Sequence, residues 1–109
     1  MMSQVFWRNQ ALTDLDHCID ALMFPEPANR PSLTYEDAID YKNDIVTFAL
    51  SLRNRIRHIA CVYEIHKQYG SKVARYDRNK NTQYYIIYNV DTEGNIYVER
   101  IMTNHITIS

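Results

Sequence analysis

Residues able to do chemistry gather in the last third of the chain. Lys72-Val73-Ala74-Arg75-Tyr76-Asp77-Arg78 is a basic run, and Lys80 follows it. Gln83-Tyr84-Tyr85-Ile86-Ile87-Tyr88 is aromatic and β-branched, Arg100 lies in the run after that, and Thr103-Asn104-His105 follows. Of these side chains only histidine has an ordinary pKa near neutrality, so His105 suits a proton-transfer role. Arg75, Arg78, Lys80 and Arg100 suit charge building on a phosphate. If Arg78 and Arg100 face the same side of a sheet, they form a clamp. Tyr84, Tyr85 or Tyr88 suits stacking on a base or orienting a phosphate. Together the residues point to phosphodiester chemistry or phosphate binding.

Each has a plainer reading. His105 also suits a strand end packed on a sheet. Arg75 and Arg78 flank Asp77 and suit surface ion pairs, which contribute little. The tyrosines also suit the core of a half-covered sheet.

The elements around these residues are legible from spacing. Val5-Phe6-Trp7 reads as a short strand, and Asn9 as the cap of a helix. Ala11, Leu12, Leu15, Cys18, Ile19 and Leu22 recur at helical spacing, with Asp14, Asp16 and Asp20 assigned to a solvated face. Pro25, Pro27 and Pro31 mark a loop. Thr34 and Asp37 open a second helix, whose apolar stripe from Ala38 to Ile56 predicts a run from about 35 into the high fifties. Ile59 to Tyr69 either extends that helix or packs Val62, Tyr63 and Ile65 on the core, and Gly70 ends it. Strands are predicted at about 72–78, 83–90 and 95–103. Gly94 is suited to positive φ in the turn that makes the last two a hairpin. The tyrosines are expected on the open face of a central strand. The order is β-α-α-β-β-β: an α+β chain with a helical hairpin packed on a twisted, mostly antiparallel sheet.

At 109 residues the chain is expected to form one domain, 1–109. Cys18 and Cys61 suggest a reducing compartment without a disulfide framework. With no charged-then-apolar leader and no apolar run of spanning length, the chain reads as soluble, cytoplasmic and without a membrane partner. The net charge of −1 conceals an asymmetry. Residues 1–52 hold three basic and eight acidic residues, a balance of −5. Residues 53–80 hold eight basic and two acidic, a balance of +6: Arg53, Arg55, Arg57, Lys67, Lys72, Arg75, Arg78 and Lys80 against Glu64 and Asp77. That block reads either as a polyanion-binding patch or as solvated charge serving solubility. His58, Cys61 and His66 lack an evident fourth metal ligand, and Cys61 reads as a small buried apolar group. No metal and no cofactor is expected. With only Gly70 and Gly94, no phosphate-cradling glycine loop is possible.

The pattern resembles the RelE/ParE superfamily, the toxins of bacterial type II toxin–antitoxin modules, over nearly the whole chain. Val5-Phe6-Trp7-Arg8 leading into Ala11-Leu12 and Leu15 looks like the family's first strand and helix. Arg75-Tyr76, Arg78-Asn79-Lys80, Thr82 and Tyr84-Tyr85, with Thr103-Asn104-His105, look like a ParE-like branch. The resemblance implies a cognate antitoxin and two functional classes. RelE-like members cut mRNA on the ribosome, by a metal-independent reaction in which a base takes the 2′-hydroxyl proton and cations stabilise the phosphorane. In members that use histidine it sits near the end of the last strand, where His105 stands. ParE-like members inhibit DNA gyrase by binding. RNA cleavage is placed slightly ahead, with His105, Arg78 and Arg100 as catalytic residues. Arg53, Arg55, Arg57, Lys72, Arg75, Lys80, Tyr84 and Tyr85 would be its nucleic-acid contacts. The near-neutral total charge departs from the basic nuclease branch. A non-toxic interaction protein on the same fold is the third class. A tyrosine-rich sheet edge suits a homodimer or an antitoxin strand equally.

Overall fold

The computed structural model describes residues 3–25 and 31–103. Strand β1 (Val5–Trp7) leads into helix α1 (Asn9–Met23), then helix α2 (Tyr35–Ser51) and a 3-10 turn (Leu52–Asn54). A one-turn helix, α3 (Glu64–Lys67), precedes the strands β2 (Lys72–Asn79), β3 (Thr82–Val90) and β4 (Ile96–Thr103). The sheet order is β1-β4-β3-β2, with β1 parallel to β4 and the other pairs antiparallel. The expected order holds, with α3 as an addition.

The helices begin differently from one another. Arg8, not Asn9, occupies the cap position of α1, without a side-chain cap. Its backbone N–H instead donates to the Val98 carbonyl at 3.0 Å, so the last sheet bond of β1 is made by the residue that starts the helix. That leaves Asn9 one residue too late to cap. The Thr34 hydroxyl does cap α2, accepting from the Asp37 N–H at 3.2 Å, with Glu36 and Asp37 in the first turn where the helix dipole favours them.

Helix α2 stops at Ser51, well short of the high fifties. The Ser51 hydroxyl donates to the Phe48 carbonyl at 2.5 Å, a local bond that competes with helix continuation. Leu52 is the last apolar anchor. The chain then turns out to meet β2. The Cys61 N–H donates to the Ser71 carbonyl (2.9 Å), and the Ile59 carbonyl accepts from the Val73 N–H (3.0 Å). The segment does not extend α2, and its alternative core positions Val62, Tyr63 and Ile65 are exposed, as is Ile56; Cys61 and His66 are the buried residues here. At Gly70 an added Cβ would lie 2.8 Å from Ile87 Cγ2 and 3.1 Å from the Tyr88 carbonyl oxygen, so only glycine lets the chain pass over β3 this closely. Gly94 takes φ +84, as its turn requires.

The sheet buries both faces. Ala11, Leu15 and Cys18 of α1, and Ile45 and Ala49 of α2, pack on Ala74, Tyr84, Ile86, Tyr88, Ile96, Val98 and Ile101. Tyr84 and Tyr88 are therefore core residues, contrary to the open-face expectation. On the opposite face Cys61, Ile87 and Met102 form a smaller cluster with Tyr69, Val73 and Tyr85. The register between β3 and β4 shifts between Ile87, opposite Arg100, and Tyr88, opposite Val98. Glu99 is the extra residue of this bulge, and its carboxylate accepts from Asn89 Nδ2 at 3.0 Å.

Candidate functional site

The expected clamp of Arg78 and Arg100 does not form, because the two side chains serve opposite faces of the sheet. Arg78 turns to the helical side. Its guanidinium lies 4.3 Å from the centroid of the Tyr41 ring and its Nε 2.7 Å from Asp44 Oδ2. Arg100 shares a face with Ile87 and sits 4.4 Å from the Tyr69 ring centroid. It is gripped by Asp14: Nε donates to Oδ2 at 2.6 Å and Nη2 to Oδ1 at 3.0 Å. The hydrogen bond donated to Asp14 is the main cause raising the pKa of Arg100 above its ordinary value.

Asp14 is the residue that sequence reasoning misplaced. Asp16 and Asp20 are exposed as expected, but Asp14 is only 6% exposed. Its Oδ2 also accepts the Ile101 N–H at 2.9 Å. Strand β1 pairs with β4 only as far as Val98. Beyond that point the β4 edge would be open, and the Asp14 carboxylate satisfies it. Position 14 falls between 11 and 18 on the stripe that carries Ala11, Leu15 and Cys18, which hints at burial but not at a partner in β4.

The +6 block does not form one patch. Lys72 opens β2 and Lys80 follows its last residue, Asn79, so the eight-residue strand, about 25 Å at its extended rise, lies between them. Arg75 is exposed and its Nε donates to Asp77 Oδ1 at 2.7 Å, the surface ion pair that raises its pKa. Arg53, Arg55 and Lys72 are half-buried, and Arg57 and Lys80 exposed. Arg55 lies 5.5 Å from the Phe48 ring centroid. His58 Nδ1 lies 2.7 Å from the Tyr88 hydroxyl. Burial lowers the His58 pKa, and the charges of Arg55 and Lys72 lower it further, which marks a region of positive potential. Arg8, Arg75, Arg78 and Arg100 each have a carboxylate partner. Among the described residues Arg55, Arg57 and Lys72 have none.

Of the aromatic candidates, Tyr84 is 1% exposed and unable to stack on a base, and burial pushes its pKa well above the ordinary tyrosine value. Tyr85 is half-buried on the second face, across from Arg75 and Met102. The His66 ring packs 5.5 Å from that of Tyr85 and is 7% exposed. Its Nδ1 has no hydrogen-bond partner among the described residues, and burial lowers its pKa. His58 and His66 thus pack on opposite faces, against Tyr88 and Tyr85, and no group of three metal-ligating side chains occurs among the described residues. Burial likewise raises the Cys18 thiol to about 12, so it stays protonated. His105, the expected acid–base residue, lies outside the described residues, two positions beyond the end of β4. No helix among the described residues is long and apolar enough to cross a membrane.

No protein-family model matches the chain, and no curated protein matches it. Among solved structures, a chain of the "Chromosomal ParDE TA system from P. aeruginosa" matches over 92% of this chain and 94% of its own length. The TM-score is 0.61 and the identity 19%, so the likeness is one of backbone. The helical hairpin packed on a mostly antiparallel sheet was expected from the sequence, and the parallel pairing of β1 with β4 is added by the structure. The chain has an α+β, ParE-like fold.

Proposed function

We propose that this protein is the toxin component of a bacterial type II toxin–antitoxin module, and that it arrests growth by binding its target, not by cutting RNA. The toxin half of the reading is supported by the ParDE likeness across nearly the whole of both chains. The observation that carries the binding half is the commitment of Arg78 to Asp44 of α2 and of Arg100 to Asp14 of α1, which ties each guanidinium to a different helix. Phosphorane stabilisation needs cations converging on one point with their charge available. Two arginines neutralised by carboxylates of two different helices do not converge. A binding inhibitor needs only a surface, and its residue charges need not meet at a reacting atom. On this reading the target is DNA gyrase, as the ParE-like features imply. A cognate antitoxin holds the toxin inactive by covering that surface.

The test is induced expression of the wild type and of His105→Ala in a bacterial host, with growth, transcript integrity and plasmid supercoiling read together. Arrest with altered supercoiling and intact transcripts, retained in the variant, is expected. Cut transcripts that become intact in the variant would move the protein to the nuclease class. An absence of arrest from both would remove the toxin reading.

A further inference from the structure

Between the end of α2 and the start of β2 the chain exposes side chains that an ordinary surface would bury. Ile56 is 103% exposed, Val62 70%, Tyr63 66% and Ile59 60%, all within one stretch of eight residues. Single exposed apolar residues are unremarkable, but a run of large ones marks a surface made to be covered. Interleaved with them are Arg55 and Arg57, with Lys72 alongside through the Ala60–Lys72 pairing. These three cations lack carboxylate partners among the described residues.

The backbone is prepared as well. The Ile59 carbonyl is spent on Val73 of β2 and the Cys61 N–H on Ser71 just before it. In that antiparallel arrangement the N–H and carbonyl of the intervening Ala60 point away from β2, toward solvent.

We infer that residues 55–63 form a docking surface for an extended, acidic, aliphatic stretch of a partner protein. The apolar side chains take the partner's aliphatic groups, Arg55, Arg57 and Lys72 take its carboxylates, and Ala60 offers one pair of strand-like hydrogen bonds. Nucleic acid fits less well, because phosphates satisfy the cations and leave Ile56, Ile59 and Val62 against water. The inference deepens the binding reading by naming its contact surface, and rests on that reading only for the partner being the toxin's target.

The probe is a fluorescein-labelled peptide of about ten residues alternating glutamate and valine, added to the full chain and followed by anisotropy and amide chemical shifts. Shifts centred on residues 56–63 are expected. Affinity should fall at least about tenfold in Ile56→Ser/Val62→Ser, and likewise in Arg55→Gln/Arg57→Gln. Because the four side chains pack little of the core, the variants should melt like the wild type, which is checked alongside. A glutamate–serine peptide should bind at least about tenfold more weakly than the glutamate–valine one. Equal binding of the two peptides, or tighter binding of oligothymidylate of matched charge, would overturn the inference. So would sedimentation showing a wild-type dimer that Ile56→Ser/Val62→Ser dissociates, since the occupant would then be a second copy. The peptide measurement is independent of toxicity. A wild type that binds peptide without arresting growth removes the toxin reading alone, and one that arrests growth without binding peptide removes this inference alone.

Discussion

Asp14→Ala is the sharpest perturbation the structure offers. The carboxylate accepts from Arg100 Nε and Nη2 at 2.6 and 3.0 Å and from the Ile101 N–H at 2.9 Å. Its side chain is 7% exposed and that of Arg100 17%. Truncation leaves a buried strand N–H unpaired, which costs about 1–3 kcal/mol, and strands a mostly buried guanidinium, for which breaking a pair costs about 3–5 kcal/mol. The two overlap, and Arg100 retains the Tyr69 ring and some water, so the expected loss is about 3–4 kcal/mol. For a domain of this size that is a large share of total stability. In urea the midpoint should fall by about 2 M, with the slope unchanged. Asp14→Asn keeps one acceptor for Ile101 and should lose less, about 1–2 kcal/mol. Arg100→Met removes the charge that truncation strands, so the double variant should be less destabilised than the two single losses added together, by about 2 kcal/mol. A loss from Asp14→Ala below about 1 kcal/mol, or strict additivity with Arg100→Met, would refute the account of Asp14 as the seal of the β4 edge.

Two further outcomes follow from the packing. Gly70→Ala drives a Cβ to 2.8 Å from Ile87 Cγ2 and 3.1 Å from the Tyr88 carbonyl oxygen, and should cost about 1–3 kcal/mol in the same urea titration; an unchanged midpoint would mean the crossing over β3 is slack. Burial holds the His66 pKa below its ordinary 6.5, so below that value the unfolded chain binds a proton that the folded chain resists. Stability should therefore be fully present above about pH 6.5 and decline as the pH falls through the window beneath it. The His66→Phe variant, keeping a ring against Tyr85, should flatten that decline without removing it, because the His58 pKa is lowered too. A pH profile of melting temperature identical in variant and wild type would exclude His66 as a contributor.

The parts of the fold legible in the chain are those set by local rules. Thr34 with Asp37, Gly94 in its turn and the apolar stripe of α1 each act within a few residues; α2 and the last turn fall where expected, and α1 starts one residue early. What was illegible depends on partners distant in sequence. Asp14 reads as one more helix-surface acid until β1 is seen to stop at Trp7, leaving the Ile101 N–H without a strand. Tyr84-Tyr85-Ile86-Ile87-Tyr88 carries no alternation, because both faces of β3 are covered, and only the register decides that Tyr84 and Tyr88 face the helices while Tyr85 faces His66. The Arg78–Arg100 clamp failed for the same reason: whether two side chains share a face is fixed by register and bulge, which spacing within one strand does not reveal.

One misreading has a different origin. Ile56 was expected on the stripe of α2, and Val62, Tyr63 and Ile65 in the core unless the segment extended that helix, yet all four are exposed while Leu52, Cys61 and His66 are buried. Positions where a hydrophobic pattern fails to find a core are where selection for something other than folding is to be sought. Solubility alone would favour polar residues there, flanked as they are by Arg55 and Arg57 and carried on a backbone with outward-facing groups at Ala60. The failure of the local prediction and the cations without carboxylate partners among the described residues are thus independent pointers to the same surface, and a covering partner explains both.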